Sequence, residues 1–182
     1  METSQLVELA ESVQICQEIV EGLIPSNYML MYGAVVAREG YGYMFTAKSG
    51  VGKTTRVQRW MEAYPDSVVV NGDKPLIQIC EGKLPLVFGS PWCGKEGWNT
   101  NMSVPLRAVF LLERSEENRA ERMTEAQAFM KLLSQIHHPA DPELGRNVLR
   151  MLRILTEQVA VYRFRSAPTQ EAVRLAWETA KP

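Results

Sequence analysis

A glycine-rich stretch at residues 47–54, Ala-Lys-Ser-Gly-Val-Gly-Lys-Thr, constrains this chain more than any other feature. A strand-like run precedes it at residues 41–46, and a helical pattern follows at residues 55–63. Strand, glycine loop, Lys-Thr and helix form the arrangement of a phosphate-binding P-loop, in which backbone N–H groups and a helix N-terminus face the phosphates. The first position of the P-loop motif is normally glycine and is Ala47 in this chain, but the remainder, Gly50-x-Gly52-Lys53-Thr54, matches the motif. The sequence therefore predicts phosphate binding.

Composition narrows the class of protein further. With 182 residues, 46% hydrophobic and 23% charged, the chain is expected to form one soluble domain over residues 1–182. A net charge of −1 without a basic block gives little support to a nucleic-acid partner. We expect no membrane partner, since no apolar run approaches the roughly 18 residues of a membrane span. Three widely spaced cysteines and an N-terminus without a signal-peptide pattern predict a cytoplasmic protein with reduced thiols.

Apolar periodicity predicts an α/β protein with a mixed β-sheet core and flanking helices around the P-loop. Apolar residues at steps of three and four predict an N-terminal amphipathic helix at 4–22, within a leading segment at 1–24. Its apolar stripe is expected to pack on the domain or on a second subunit, so a homo-oligomer stays open. The core, residues 28–180, is predicted to contain strands at 28–37, 41–46, 67–70, 76–80, 84–88, 106–112 and 159–165 and helices at 55–63, 124–136, 143–158 and 169–179.

The three residues that follow the glycines are the candidates for contacts to phosphate and Mg²⁺. Lys53 is expected to reach the β- and γ-phosphates, and the Thr54 hydroxyl to ligate Mg²⁺. Thr55 is either an ordinary residue of the first helical turn or a contact to the α-phosphate. If the loop is only a strand-to-helix turn, Lys53 is a solvated helix residue.

Asp73 is the next candidate. It follows a short apolar strand, about twenty residues after Lys53, where a carboxylate can lie beside the phosphates. There it would hold Mg²⁺ or accept a proton from an attacking hydroxyl. The alternative is an Asn-Gly-Asp turn whose residues are favoured for conformational reasons alone.

The loop at residues 89–97 contains three glycines and a proline around Trp92 and Lys95. Its glycines would let the backbone approach a ligand, and Lys95 would place positive charge near phosphate. Asn99 extends the same segment and could pair with substrate. The alternative to a ligand-binding loop is an irregular connection between secondary-structure elements, with Trp92 packed in the core.

Arg114, Arg119 and Arg122 follow the strand at 106–112. Phosphoryl transfer benefits from a cation at the developing charge, which one of them could supply. The alternative is a solvated helical face, because glutamates are interspersed among them.

Taken together, these motifs resemble a known family. The P-loop, the Val-Val-Val-Asn-Gly-Asp run that ends at Asp73, and the Gly-Ser-Pro-Trp-Cys-Gly run at 89–94 resemble the C-terminal catalytic domain of HPr kinase/phosphorylase. They are closer still to its small stand-alone relatives, the HPr-kinase-like serine kinases, in the superfamily of the phosphoenolpyruvate carboxykinases. The resemblance spans most of residues 28–180.

This resemblance implies an ATP-dependent kinase that uses Mg²⁺ and an acidic base. The acidic role passes to Asp73 alone, because the family's Asp-Asp pair is Gly72-Asp73 here. The histidine between P-loop and acidic pair is missing, as are the family's N-terminal domain and phosphorylase signature. These departures argue against HPr as the substrate and against phosphorolysis.

We therefore expect a kinase that transfers the γ-phosphate of ATP to a hydroxyl on a protein, a peptide or a small molecule. The alternatives are a nucleotide-binding regulatory or accessory module with reduced catalysis and, less favoured, an ATP hydrolase. The candidate residues are Lys53 and Asp73 for catalysis, Ser49, Gly50, Val51, Gly52, Lys53, Thr54 and Thr55 for the nucleotide, Thr54 and Asp73 for Mg²⁺, and Ser90, Trp92, Gly94, Lys95, Asn99 and Arg122 for substrate or phosphate.

Overall fold

The computed structural model describes residues 2–48 and 50–182. Within them the chain has a mixed α/β fold, with a mostly antiparallel sheet and flanking helices. The helices are α1 (Glu2–Leu23), α2 (Lys53–Ala63), α3 (Glu125–Leu132), α4 (Pro142–Gln158) and α5 (Gln170–Ala180). The strands are β1 (Tyr28–Leu30), β2 (Ala34–Arg38), β3 (Tyr41–Thr46), β4 (Val68–Asn71), β5 (Leu76–Gln78), β6 (Leu86–Phe88), β7 (Ser103–Arg114), β8 (Arg119–Arg122) and β9 (Ala160–Ser166).

The long strand β7 lies at the centre of the sheet. Along most of its length it pairs in parallel with β3 on one side and β9 on the other, and its first residues pair antiparallel with β6. Strand β2 is antiparallel to both β3 and β4, so β3 and β4 run in the same direction. The carboxyl ends of β3, β4, β7 and β9 therefore meet at one edge of the sheet. In open α/β sheets, that edge is where ligands bind.

Alternating side chains put a separate core on each face of the sheet. In β3, Met44 faces a mainly aliphatic core shared with α3 and α4, whereas Tyr43 and Phe45 face an aromatic core shared with α2 and α5. The Trp60 ring of α2 stacks on Tyr43, with ring centroids 5.5 Å apart. Burial on both faces explains why the central strands read as continuous apolar runs.

Helix α1 packs beside the sheet through Cys16 and Val20, which contact Leu30 of β1. The carboxylate of Glu21 lies 3.1 Å from Nε2 of His137, which attaches α1 to the segment after α3. The predicted helix at 4–22 is thus confirmed as a helix, while the side chains of residues 1–10 lie outside the described part. Among the described helices, none has the length and apolar character needed to cross a membrane.

Three element predictions need correction. The predicted strand at 28–37 is interrupted, because β1 pairs with β5 and β2 pairs with β3 in a different part of the sheet. The predicted helix at 124–136 has the expected capping box at Thr124 and Gln127 but ends its α-helical part at Leu132 and continues as a 3-10 turn. Residues 119–122 form a strand instead of a helical face, because they pair with β9.

Candidate functional site

The glycine loop joins the end of β3 to the start of α2. Gly50 and Gly52 have φ angles of 79° and 111°, in a region that disfavours residues with a Cβ. Gly52 is the N-cap of α2 and makes no side-chain cap, so the first N–H groups of the helix stay available. A helix N-terminus with free N–H groups is suited to an anion. Ser49, a predicted nucleotide contact, lies outside the described residues.

Lys53 and Thr54 begin helix α2. The ammonium group of Lys53 lies 3.4 Å from the carbonyl oxygen of Ala47, so the side chain folds back over the glycine loop. Ala47 itself is 4% exposed and belongs to the aromatic core.

Asp73 follows β4 at the same edge of the sheet as Lys53. Its N–H donates to Oδ1 of Asn71 over 2.9 Å, and its carbonyl oxygen accepts from the N–H of Gly33 over 2.8 Å. Both neighbours belong to the sheet or its connections. The backbone that carries the Asp73 carboxylate is therefore held from two sides.

Asn71 organises this turn, and the sequence prediction did not include it among the site residues. It is fully buried, and its Oδ1 accepts from the N–H groups of Asp73 and Lys74. Its Nδ2 donates to the carbonyl and hydroxyl oxygens of Ser90, whose hydroxyl donates to the Lys74 carbonyl over 2.6 Å. The sequence did contain a signal for this role, an asparagine two residues before the aspartate of a turn. An asparagine side chain commonly accepts a hydrogen bond from the backbone N–H two residues further along the chain.

The loop at 89–97 divides into an anchoring part and a part at the cavity. Ser90 is 2% exposed and takes part in the Asn71 network, and Trp92 packs with the small cluster around Cys16. Asn99 forms an isolated bridge with Asn71. Gly94 and Lys95, in contrast, lie beside Asp73, as the cavities described next show.

Two cavities meet at Lys53 and Asp73. The first, named the Lys95 cavity, has a volume of about 420 Å³, and its lining includes Gly50, Gly52, Lys53, Thr54, Asp73 and Lys95. The second, named the Gln135 cavity, has a volume of about 380 Å³, and its lining includes Tyr32, Lys48, Lys53, Asp73, Ser134 and Gln135. Lys53 and Asp73 line both cavities.

The buried Thr46 side chain connects two residues that line the Gln135 cavity. The Thr46 hydroxyl lies 2.6 Å from the Tyr32 carbonyl oxygen and 3.0 Å from Oε1 of Gln135. Burial, with Cys16 and Asp73 nearby, raises the pKa of the Tyr32 phenol above its ordinary value. The phenol therefore stays neutral at physiological pH and keeps its proton to donate.

Of the three arginines considered, the structure brings Arg114 to the glycine loop. Its Nη2 donates to the carbonyl oxygen of Gly50 over 2.6 Å. Arg122 is placed elsewhere, because β8 runs antiparallel to β9 and ends at the opposite edge of the sheet. It lines a separate cavity with residues of α3 and α4. The structure therefore does not bring Arg122 together with Lys53 and Asp73.

The donor set around the Lys95 cavity suits a hard cation. Thr54 and Asp73 supply a hydroxyl and a carboxylate oxygen to the same cavity. Mg²⁺ prefers oxygen ligands and usually completes its shell with water and substrate phosphates. In the part of the chain that the structure describes, this cavity included, no group of three or more His, Cys, Asp or Glu side chains could hold a metal ion.

Comparison with known proteins gives one family and one distant fold. The family model described as "SynChlorMet cassette protein ScmC" matches residues 1–140. No curated protein matches. The solved structure of the Hpr(Ser) kinase/phosphatase from Coxiella burnetii is 12% identical, with 70% of this chain and 88% of that chain covered and a TM-score of 0.36. At these values the likeness is one of fold at most.

Proposed function

The chain belongs to the family described as SynChlorMet cassette protein ScmC, and from the geometry of its site we propose that it is an ATP- and Mg²⁺-dependent kinase for a hydroxyl acceptor. The supporting observation is that Lys53 and Asp73 line both the Lys95 cavity and the Gln135 cavity. A phosphoryl donor in one cavity and an acceptor in the other would meet at a cation and a carboxylate. Transfer of a phosphoryl group needs that arrangement.

The donor phosphates are assigned to the Lys95 cavity. The N-terminus of α2 and the Lys53 ammonium group offer hydrogen bonds and positive charge there. Lys95 adds a second cation, and the lining also contains the carboxylates of Asp73 and Glu96. Preorganised donors of this kind stabilise the charge that develops on the transferred group. Bound Mg²⁺, held by Thr54 and Asp73, would neutralise phosphate charge.

The acceptor hydroxyl is assigned to the Gln135 cavity. Asp73 takes the hydroxyl proton, the acceptor oxygen bonds to the γ-phosphorus, and the bond from that phosphorus to the β,γ-bridging oxygen breaks, releasing ADP. The neutral Tyr32 phenol and the Ser134 and Gln135 side chains supply polar groups to orient the acceptor. A protein or peptide side chain and a small molecule are both compatible with a cavity of this size.

Two substitutions test the proposal. Lys53→Ala is expected to lower phosphoryl transfer from ATP by about 10²–10³. Asp73→Asn is expected to lower it by about 10²–10⁴, with a much smaller change in ADP affinity. The measurement is ADP release across a panel of hydroxyl acceptors, with ADP affinity from calorimetry.

Matched controls are available at exposed positions. Lys83→Ala removes an exposed lysine from the turn after β5, and Asp66→Asn removes an exposed aspartate that pairs with Arg38. Both should leave transfer unchanged. Unchanged transfer in Lys53→Ala would contradict the proposal.

A second candidate function is a nucleotide-binding accessory module. The observation in its favour is Gly72: a Cβ built there would lie 2.6 Å from the carbonyl oxygen of Cys93, so the turn leaves no room for a second carboxylate. That function predicts ATP binding without ADP release for any acceptor, and no effect of Asp73→Asn on turnover. The kinase proposal predicts the reverse on both measurements.

A further inference from the structure

Helix α1 has an apolar surface that the rest of the chain does not cover. Six large apolar side chains are exposed in the part of the chain that the structure describes, and three of them, Val13, Ile15 and Ile19, lie on α1. Between residues 11 and 20, only Cys16 and Val20 are buried, and both pack against β1. Exposed apolar residues grouped on one short segment are typical of a contact with another surface.

Acidic residues accompany this apolar surface. Helix α1 contains five glutamates and no lysine or arginine. Residues at helical spacing place two glutamates and two isoleucines on one exposed face, named the α1 stripe, which consists of Glu11, Ile15, Glu18 and Ile19. A second α1 stripe would be repelled by its like charge, and so would an anionic membrane surface. The surface that covers the α1 stripe is therefore expected to be basic, with apolar area of its own.

Helix α4 exposes a surface of that kind. Its exposed face, named the α4 stripe, consists of Arg146, Leu149, Arg150 and Arg153, which lie at helical spacing. Leu149 is 39% exposed, and each arginine lies within four residues of it. The glutamates of α4 lie near its two ends, at Glu143 and at Glu157, which is 3.8 Å from Arg153. The centre of the α4 stripe is thus positive, opposite in charge to the α1 stripe.

The two stripes lie on adjoining parts of one molecule but do not cover each other within it. Nη2 of Arg150 donates to Oδ1 of Asn27 over 2.8 Å, and Asn27 follows the end of α1 by four residues. Because the side chains of both stripes are exposed, an α1 stripe can be covered by an α4 stripe only of another copy. A twofold arrangement covers both stripes of each copy, since every contact occurs twice in such a dimer.

We propose that the chain forms a homodimer in which the α1 stripe of each copy packs on the α4 stripe of the other. Ile15 and Ile19 pack beside Leu149. Glu11 and Glu18 pair with arginines of the α4 stripe. This contact goes beyond the proposed function and does not depend on it, because none of these residues lines the Lys95 cavity or the Gln135 cavity.

Analytical ultracentrifugation of the full chain measures the assembly. At low ionic strength the mass should be twice the 20.6 kDa of one chain. Because salt screens ion pairs at an exposed interface, the dissociation constant should rise at least about tenfold between about 50 mM and about 500 mM NaCl. A chain that stays monomeric at about 100 μM in low salt overturns the proposal.

Charge reversal identifies the two surfaces. Glu11→Lys with Glu18→Lys makes the α1 stripe basic, and Arg146→Glu with Arg153→Glu makes the α4 stripe acidic. Each double variant alone should be monomeric, because its two stripes then have the same sign of charge. An equimolar mixture of the two variants should form a dimer again, since each α1 stripe then meets an α4 stripe of opposite charge. This recovery also shows that both variants are folded.

A matched control separates these surfaces from net charge. Glu62→Lys with Glu178→Lys changes the net charge by the same amount at exposed positions of α2 and α5. This variant should remain dimeric, with the salt dependence of the unsubstituted chain. Equal dissociation of the control overturns the proposal, as does a variant with a basic α1 stripe that stays dimeric alone. A mixture of the two reversed variants that stays monomeric overturns it as well.

Discussion

Two glycines of the glycine loop, Gly50 and Gly52, and the turn at 71–74 line the same cavity, but their surroundings differ. Gly50 and Gly52 have open surroundings, since a Cβ built at either would meet no described atom within 4 Å. The turn is crowded, since Asn71 and Ser90 bond it internally and Gly72 packs against Cys93 and Trp98. The site thus combines one open side, at Gly50 and Gly52, with one crowded side at the turn. Such a pair suits a loop that receives phosphates and a carboxylate that must keep its position.

Among substitutions on the two sides of the site, Asn71→Ala is expected to lower the free energy of unfolding most. It removes the four hydrogen bonds made by the Asn71 side chain and leaves buried backbone groups unpaired, so the free energy of unfolding should fall by about 3 kcal/mol. Because Asp73 loses its fixed backbone, turnover should fall as well. Urea unfolding and a steady-state assay measure both. A loss below about 1 kcal/mol would show that the turn is not held by this residue.

Gly72→Ala tests the crowding directly. The added Cβ would lie 2.6 Å from the backbone oxygen of Cys93, which a small side-chain adjustment cannot relieve. We expect a loss of about 2 kcal/mol in the free energy of unfolding. Urea unfolding is again the measurement, and a neutral result would mean that the loop at 89–97 moves freely away from the turn.

Gly52→Ala tests the open side and should have the smallest effect on stability. The substituted residue meets no described neighbour but has to keep a φ of 111°, which costs about 1 kcal/mol. ADP affinity should nevertheless fall, because the N–H groups at the start of α2 depend on this conformation.

Gly145→Ala is the matched control for Gly52→Ala. Gly145 lies inside α4, and a Cβ there also meets no described atom within 4 Å. Alanine is the better helix former, so the free energy of unfolding should rise by about 0.5–1 kcal/mol. A larger stability loss for Gly52→Ala than for Gly72→Ala would reverse the comparison of the two sides.

Local features of the fold were predictable because they depend on neighbouring residues. The glycine loop between strand and helix, the helix at the N-terminus and the capping box of Thr124 and Gln127 all follow from short-range spacing and backbone preference. The pairing of strands was harder to predict from the sequence. The split of residues 28–37 into β1 and β2 depends on partners more than thirty residues away for both strands, β5 for β1 and β4 for β2.

By itself, the sequence determined the glycine loop and the α/β class, and it named Lys53 and Asp73 as residues of interest. Only the tertiary structure decided that these two side chains line both cavities, and that Arg114 instead of Arg122 contacts the loop. The physical reason is strand direction. The carboxyl ends of β3, β4 and β7 meet at one edge, while β8 runs the other way, and no local pattern in the sequence specifies which strands become neighbours.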